Sequence, residues 1–81
     1  MNIFVGNLDF RVDEVDLRDI FEEFGAVSSA KIITDKYTGK SRGFGFVTME
    51  GNNEAVKAIH ELNGSQLEKR NLVVNEAKPR N

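Results

Sequence analysis

Residues 40–47 read Lys40-Ser41-Arg42-Gly43-Phe44-Gly45-Phe46-Val47, KSRGFGFV. In an extended strand successive side chains leave opposite faces, so Phe44 and Phe46 share one face while Gly45 and Val47 share the other. Two large rings therefore stand on one side of a strand whose other side carries only a glycine and a valine. What the rest of the chain folds into decides whether the ring-bearing side is covered or left for use.

Outward from this octet the pattern alternates between strand and helix periods. Asn2 to Gly6 reads as a short strand with Ile3 and Val5 on one face and Phe4 on the other. Asp13 is a good helix N-cap, acidic residues fill the first turn where the macrodipole favours them, and Leu17, Ile20, Phe21 and Phe24 recur at helical spacing until Gly25. Val27 to Thr34 alternates Ala30 and Ile32 against Lys31 and Ile33, and the polar loop Asp35 to Ser41 carries the turn signal Thr38-Gly39. The octet is the third strand, continuing through Met49. A second helix is marked by Ala55, Ala58, Ile59 and Leu62, entered at Gly51 or Asn52 and closed by Asn63-Gly64, and Leu72 to Ala77 is the last strand.

The order β-α-β-β-α-β predicts an α+β, ferredoxin-like sandwich: a four-stranded antiparallel sheet with two helices on one face. Ile3, Val5, Ala30, Ile32, Gly45, Val47, Leu72 and Val74 are expected to meet the helices, Gly45 making room for a close helix approach. Phe4, Phe44 and Phe46 are left on the open face. The domain is expected to span residues 1–78, with 79–81 as a short tail beyond the strand-ending Pro79.

Composition bounds the function. With 81 residues and no cysteine, one small core must hold the chain without staples. No window is apolar enough for a membrane span, and MNIFVGNLDF lacks the basic opening and cleavage site of a secretion signal, so a cytoplasmic location is expected. One histidine and no cysteine supply neither a metal site nor a catalytic triad, and no GxxxxGK[ST] or GxGxxG precedes a helix. No catalysis, cofactor, metal or small-molecule substrate is expected. The net charge of −2 hides a segregation: Asp13, Glu14, Asp16, Asp19, Glu22 and Glu23 crowd the first helix, whereas Lys31, Lys36, Lys40 and Arg42 surround the octet.

IFVGNL at residues 3–8 and RGFGFVTM at 42–49 resemble the hexapeptide and octapeptide signatures of the RNA recognition motif, the shorter first, as in that family. LRDIFEEFG, DKYTGK, AIHELNG and VNEA extend the resemblance along the whole chain, which is similar to short single-domain bacterial members and to plant glycine-rich RNA-binding proteins without their glycine-rich tail. The resemblance implies single-stranded RNA as partner, with single-stranded DNA as a second strand type, bound by a monomer in post-transcriptional regulation or RNA chaperoning. It also implies roles: Phe4 and Phe46 each stacking on a base, Phe44 packing against bases or sugars, and Arg42 pairing with a phosphate. Lys31, Tyr37, Lys78 and Arg80 would surround the rings, Asn75, Glu76 and Ala77 would read base edges, and Asn7 matches the asparagine that follows the first strand. The sequence departs from the family pattern at Met49, where an aromatic is usual, and at Lys69 in the Glu68-Lys69-Arg70 turn, where glycine is common, so a strained turn is expected there.

Two other readings compete. The rings could serve a protein interface, making the chain an adaptor that docks through its aromatic face or its acidic first helix. A cold-shock β-barrel also carries a strand like KGFGFI, but its two aromatic strands come in the reverse order and an all-β chain has no place for two capped amphipathic helices.

Overall fold

In the computed structural model, residues 1–77 are described; Lys78, Pro79, Arg80 and Asn81 lie outside the described residues, and with them the expectations for Lys78 and Arg80. The chain runs through β1 (Asn2–Gly6), α1 (Glu14–Glu22), β2 (Val27–Thr34), β3 (Ser41–Met49), α2 (Asn52–Leu62), β4 (Gln66–Leu67), β5 (Arg70–Asn71) and β6 (Val73–Glu76).

Helix α1 begins where its cap chemistry says it should. The Asp13 carboxylate accepts from the Asp16 amide at 2.9 Å and the Asp16 carboxylate accepts from the Asp13 amide at 3.3 Å, a reciprocal pair that satisfies donors the first turn leaves free. Leu17 and Phe21 are fully buried, while Ile20 and Phe24 pack half-buried at the margin of the same core. The buried positions of α2 are Ala55 and Ala58. Its end is fixed by Asn63, whose side-chain oxygen accepts from the Val74 amide at 3.0 Å, and by Gly64 at φ 85°. The helix terminus is thus tied directly to the last strand.

The sheet order is β2-β3-β1-β6, antiparallel throughout. Both helices cover one face, over Ile3, Val5, Val47, Met49 and Val74, each fully buried. The two strands that carry phenylalanines, β1 and β3, are central and hydrogen-bonded along both sides.

Three details differ from the sequence reading. The segment before the last strand is not plain loop: β4 and β5 pair as a small separate hairpin, Gln66 opposite Asn71 and Leu67 opposite Arg70. Its two-residue turn holds Glu68 at φ 50° and Lys69 at φ 72°, the strained turn expected from the missing glycine. The last strand is shorter than expected, Val73–Glu76, although Leu72 is still buried and the Ala77 amide continues the pairing by donating to the Asn2 carbonyl. Gly45, finally, makes room for a strand rather than a helix. A Cβ there would run into the Lys31 carbonyl oxygen and come within 3.2 Å of the Ile32 Cα, on β2, next to a register irregularity between Ile32 and Thr34. The missing side chain lets β2 press against β3.

Candidate nucleic-acid interface

Register determines which side chains meet on the uncovered face. Lys31 lies opposite Phe46, Phe46 opposite Phe4, and Phe4 opposite Asn75, so one row crosses all four strands as lysine, ring, ring, amide. At the usual inter-strand spacing this row is roughly 14 Å long. A second row lies below it: Ser29 opposite Thr48 opposite Asn2, with the Thr48 hydroxyl donating to the Asn2 side-chain oxygen at 2.9 Å. Hydroxyls and an amide therefore border the rings on one side.

Phe44 completes the aromatic group from above. Its ring centroid is 5.9 Å from Phe4 and 6.2 Å from Phe46, and Phe4 and Phe46 are 5.9 Å apart. Phe46 meets each of the others edge-on, at 66° and 89°, while Phe4 and Phe44 tilt by only 31°. Such contacts hold the rings in place, because the positive edge of one faces the negative face of the next. Phe46 is the most open of the three, 37% exposed, and Phe4 and Phe44 are half-buried. Gly6 makes this arrangement possible: a Cβ there would sit 2.8 Å from the Phe4 ring, so the absent side chain leaves the ring its resting place.

The polar candidates separate into distinct positions. Lys31 and Asn75 are exposed at the two ends of the ring row. Glu76 lies opposite Ile3, a fully buried residue on the helix side, so strand alternation turns its carboxylate away from the rings. Ala77 is half-buried with its amide engaged by Asn2. Arg42 is exposed at the start of β3, and Gly43 after it has φ 84°, a left-handed kink that glycine adopts freely. The Leu8 amide donates to the Gly43 carbonyl at 2.8 Å, which pins this kink to the end of β1. Tyr37 is 87% exposed in the β2–β3 loop, with the Lys36 ammonium 5.5 Å from its ring centroid.

Asn7 has local work. At φ 58°, it donates from its amide to the Asn71 carbonyl at 2.8 Å and accepts from the Arg70 guanidinium at 3.1 Å. Both ends of the side chain are occupied in fastening the β4–β5 hairpin to the end of β1.

Asp35 organises the β2–β3 loop. Its carboxylate accepts from the Tyr37 amide at 2.8 Å and the Thr38 amide at 3.0 Å. These backbone donors, Thr38 first, with Arg42 nearby, hold its pKa below the ordinary 3.8. Asp9 is held low in the same way by the Arg11 amide, at 2.9 Å, and then by the Arg11 guanidinium.

Sequence reasoning passes over three residues of this surface. Thr48 and Val73 share the ring face by strand alternation, Thr48 two residues beyond Phe46 and Val73 between the buried Leu72 and Val74; Val73 lies opposite Gly6 and is 42% exposed. Phe10, 74% exposed, lies in the β1–α1 loop, where no repeat of strand or helix marks its direction. Only its place between the buried Leu8 and Val12 hints that it is not core.

The RNA recognition motif family model matches residues 3–73, and the chain belongs to that family. It is similar to RbpA of Synechocystis, a protein named for RNA binding, 48% identical over 80 residues covering 99% of this chain and 79% of RbpA. It is also similar to the glycine-rich RNA-binding protein blt801 of Hordeum vulgare, 47% identical over 95% of this chain but only 48% of that longer protein. Among solved structures, RNA Binding Protein PG1 superposes with a TM-score of 0.95 at 53% identity, covering 100% of this chain and 98% of that one. A structure described as an Sxl-lethal protein/RNA complex superposes with a TM-score of 0.93 at 29% identity, over 99% of this chain and 48% of that one.

Proposed function

We propose that this chain binds single-stranded RNA, without catalysis, by stacking unpaired bases on Phe4 and Phe46 and packing Phe44 against the bases or sugars between them. The observation that carries the reading is the row Lys31-Phe46-Phe4-Asn75, which places two rings between a cation and an amide on the uncovered sheet face. A base presents a flat π-face that water solvates poorly, and a ring already held by its neighbours loses little freedom on meeting it. Lys31 and Arg42 neutralise phosphates beside the stacked bases. Asn75 offers donor and acceptor to a base edge, and Glu76 and Ala77 contribute through backbone groups. The similarity to proteins named for RNA binding, and to a structure solved with RNA, supports the same reading.

In this reading the chain acts as a monomer in the cytoplasm, and single-stranded DNA competes for the same rings. Stacking alone reads sequence loosely, so affinity near the micromolar range, about −8 kcal/mol, is expected of one such surface. The test is a titration of isotopically labelled protein with short RNA. Amide shifts should concentrate on Phe4, Phe44, Phe46 and Lys31, and Phe46→Ala should weaken binding about 5- to 160-fold, the equivalent of roughly 1–3 kcal/mol for one stacked base. The logarithm of the affinity should fall with that of salt concentration by about 0.7 per phosphate contacted. Silence across the ring face, with partner-induced shifts on Asp13 to Glu23 instead, would replace this reading with the protein adaptor.

A further inference from the structure

Asn63-Gly64 ends α2, and the pair carries a reactivity apart from that role. Of the asparagines that another residue follows, Asn63 alone precedes a glycine. An asparagine carboxamide is open to attack by the main-chain nitrogen of the next residue, and glycine, with no side chain to shield that nitrogen, obstructs the attack least. Both residues are exposed, so water and hydroxide reach them. The fold nevertheless holds both reacting groups. The Asn63 side-chain oxygen accepts from the Val74 amide at 3.0 Å, and the Gly64 amide, which carries the attacking nitrogen, donates to the Leu72 carbonyl at 2.8 Å. Neighbouring bonds brace them: the Asn63 amide donates to the Ile59 carbonyl at 3.0 Å, and the Leu72 amide donates to the Ser65 carbonyl at 2.7 Å.

We infer that Asn63-Gly64 is a latent self-modification site, a deamidation centre that reacts when the junction between α2 and β6 opens locally. Hydroxide removes the Gly64 amide proton and the nitrogen forms a bond to Asn63 Cγ. The bond from Cγ to Nδ2 then breaks, and Nδ2 leaves as ammonia with a proton taken from water. Water opens the resulting five-membered imide, at Cγ to give aspartate or at the Asn63 main-chain carbonyl to give isoaspartate. The sum is carboxamide plus water to carboxylate plus ammonium, with nothing oxidised or reduced. Magnitude selects a local opening over a global one. Freeing the two groups breaks two hydrogen bonds and suppresses the reaction by about 30-fold, the equivalent of roughly 2 kcal/mol. Waiting for the whole chain to unfold would suppress it by about 1,000-fold or more, so the local route is the faster. The two products differ in consequence. Aspartate keeps an oxygen that accepts from the Val74 amide, whereas isoaspartate adds a methylene to the main chain and displaces Gly64 from Leu72. Each isoaspartyl molecule bears a permanent mark that its junction has opened.

The full chain is incubated in mildly alkaline buffer with and without denaturing guanidinium chloride and then cut with trypsin. The peptide of residues 58–69, bounded by Lys57 and Lys69, is followed by mass spectrometry, with electron-transfer fragmentation to tell isoaspartate from aspartate. In the denatured chain Asn63 should convert before any other asparagine, and in the folded chain it should convert about 30-fold more slowly. Asp13→Ala, which loosens the other helix, should leave the folded rate within about 2-fold. Asn63→Asp should melt close to the unmodified chain, and material rich in isoaspartate should melt earlier. Equal rates in the folded and denatured chain would overturn the restraint by the fold, and prior conversion of another asparagine in the denatured chain would overturn the site. Suppression by about 1,000-fold or more, or a rate in Asp13→Ala that rises with its loss of stability, would overturn the local opening.

Discussion

The turn between β4 and β5 offers a perturbation whose sign and size follow from two dihedral angles. Two-residue hairpin turns of this hand need positive φ at both central residues, and here they are Glu68 at 50° and Lys69 at 72°. A side chain held in the left-handed region costs about 1–2 kcal/mol relative to the right-handed one. Lys69→Gly removes that cost but gives the unfolded chain more freedom, which takes back about 0.4–1 kcal/mol. The net expectation is a gain of about 0.5–1 kcal/mol. For a domain of this size about 4–8 °C follows each kcal/mol, so the thermal midpoint should rise by roughly 2–8 °C, read by circular dichroism. Gly64, at φ 85° with open space around it, supplies the mirror experiment: Gly64→Ala adds the same backbone cost without any steric clash and should lower the midpoint. A midpoint that falls or stays fixed in Lys69→Gly would refute the assignment of strain to this turn.

The remaining expectations concern caps and protons. Asp13→Ala removes one half of the reciprocal cap of α1 and should destabilise the fold by about 0.5–2 kcal/mol in urea titration; a loss below a few tenths would show that the cap is idle. Asp35 and Asp9 have pKa values below 3.8 in the folded chain, so the stability they contribute is complete above that value and is lost as pH falls through the range beneath it. Carboxyl titration followed by NMR should place both midpoints under 3.8, and Asp35→Asn should flatten the acid limb of the stability profile. A midpoint for Asp35 at or above 3.8 would contradict its role as acceptor for the Tyr37 and Thr38 amides.

Much of this fold is written in period alone. Alternation in IFVG and GFGFV separates core from ring side without tertiary information, and the spacing of Leu17 and Phe21 finds the helix face that covers the sheet. What period does not carry is register. That Lys31, Phe46, Phe4 and Asn75 form one row depends on how strands slide past each other, and the irregularities in β2 shift that pairing in ways no single strand announces. The role of Gly45 eluded prediction for the same reason, since its close neighbour is the β2 backbone rather than a side chain with a pattern. The β4–β5 hairpin has only two residues per strand, too few to alternate. Asn7 shows a third limit. Its motif position fits a ligand contact, while the structure reveals that its side chain is already hydrogen-bonded to the distant Arg70 and Asn71.

Because β1 and β3 occupy the middle of the sheet, the platform they carry cannot fray separately from the remainder of the molecule. Terminal and loop amides exchange with solvent through small openings, whereas those of central strands exchange only through global ones. Oligonucleotide affinity should accordingly persist almost undiminished on warming and then vanish over the same few degrees as cooperative melting. The protein would work as an all-or-none receptor, with no partly competent form.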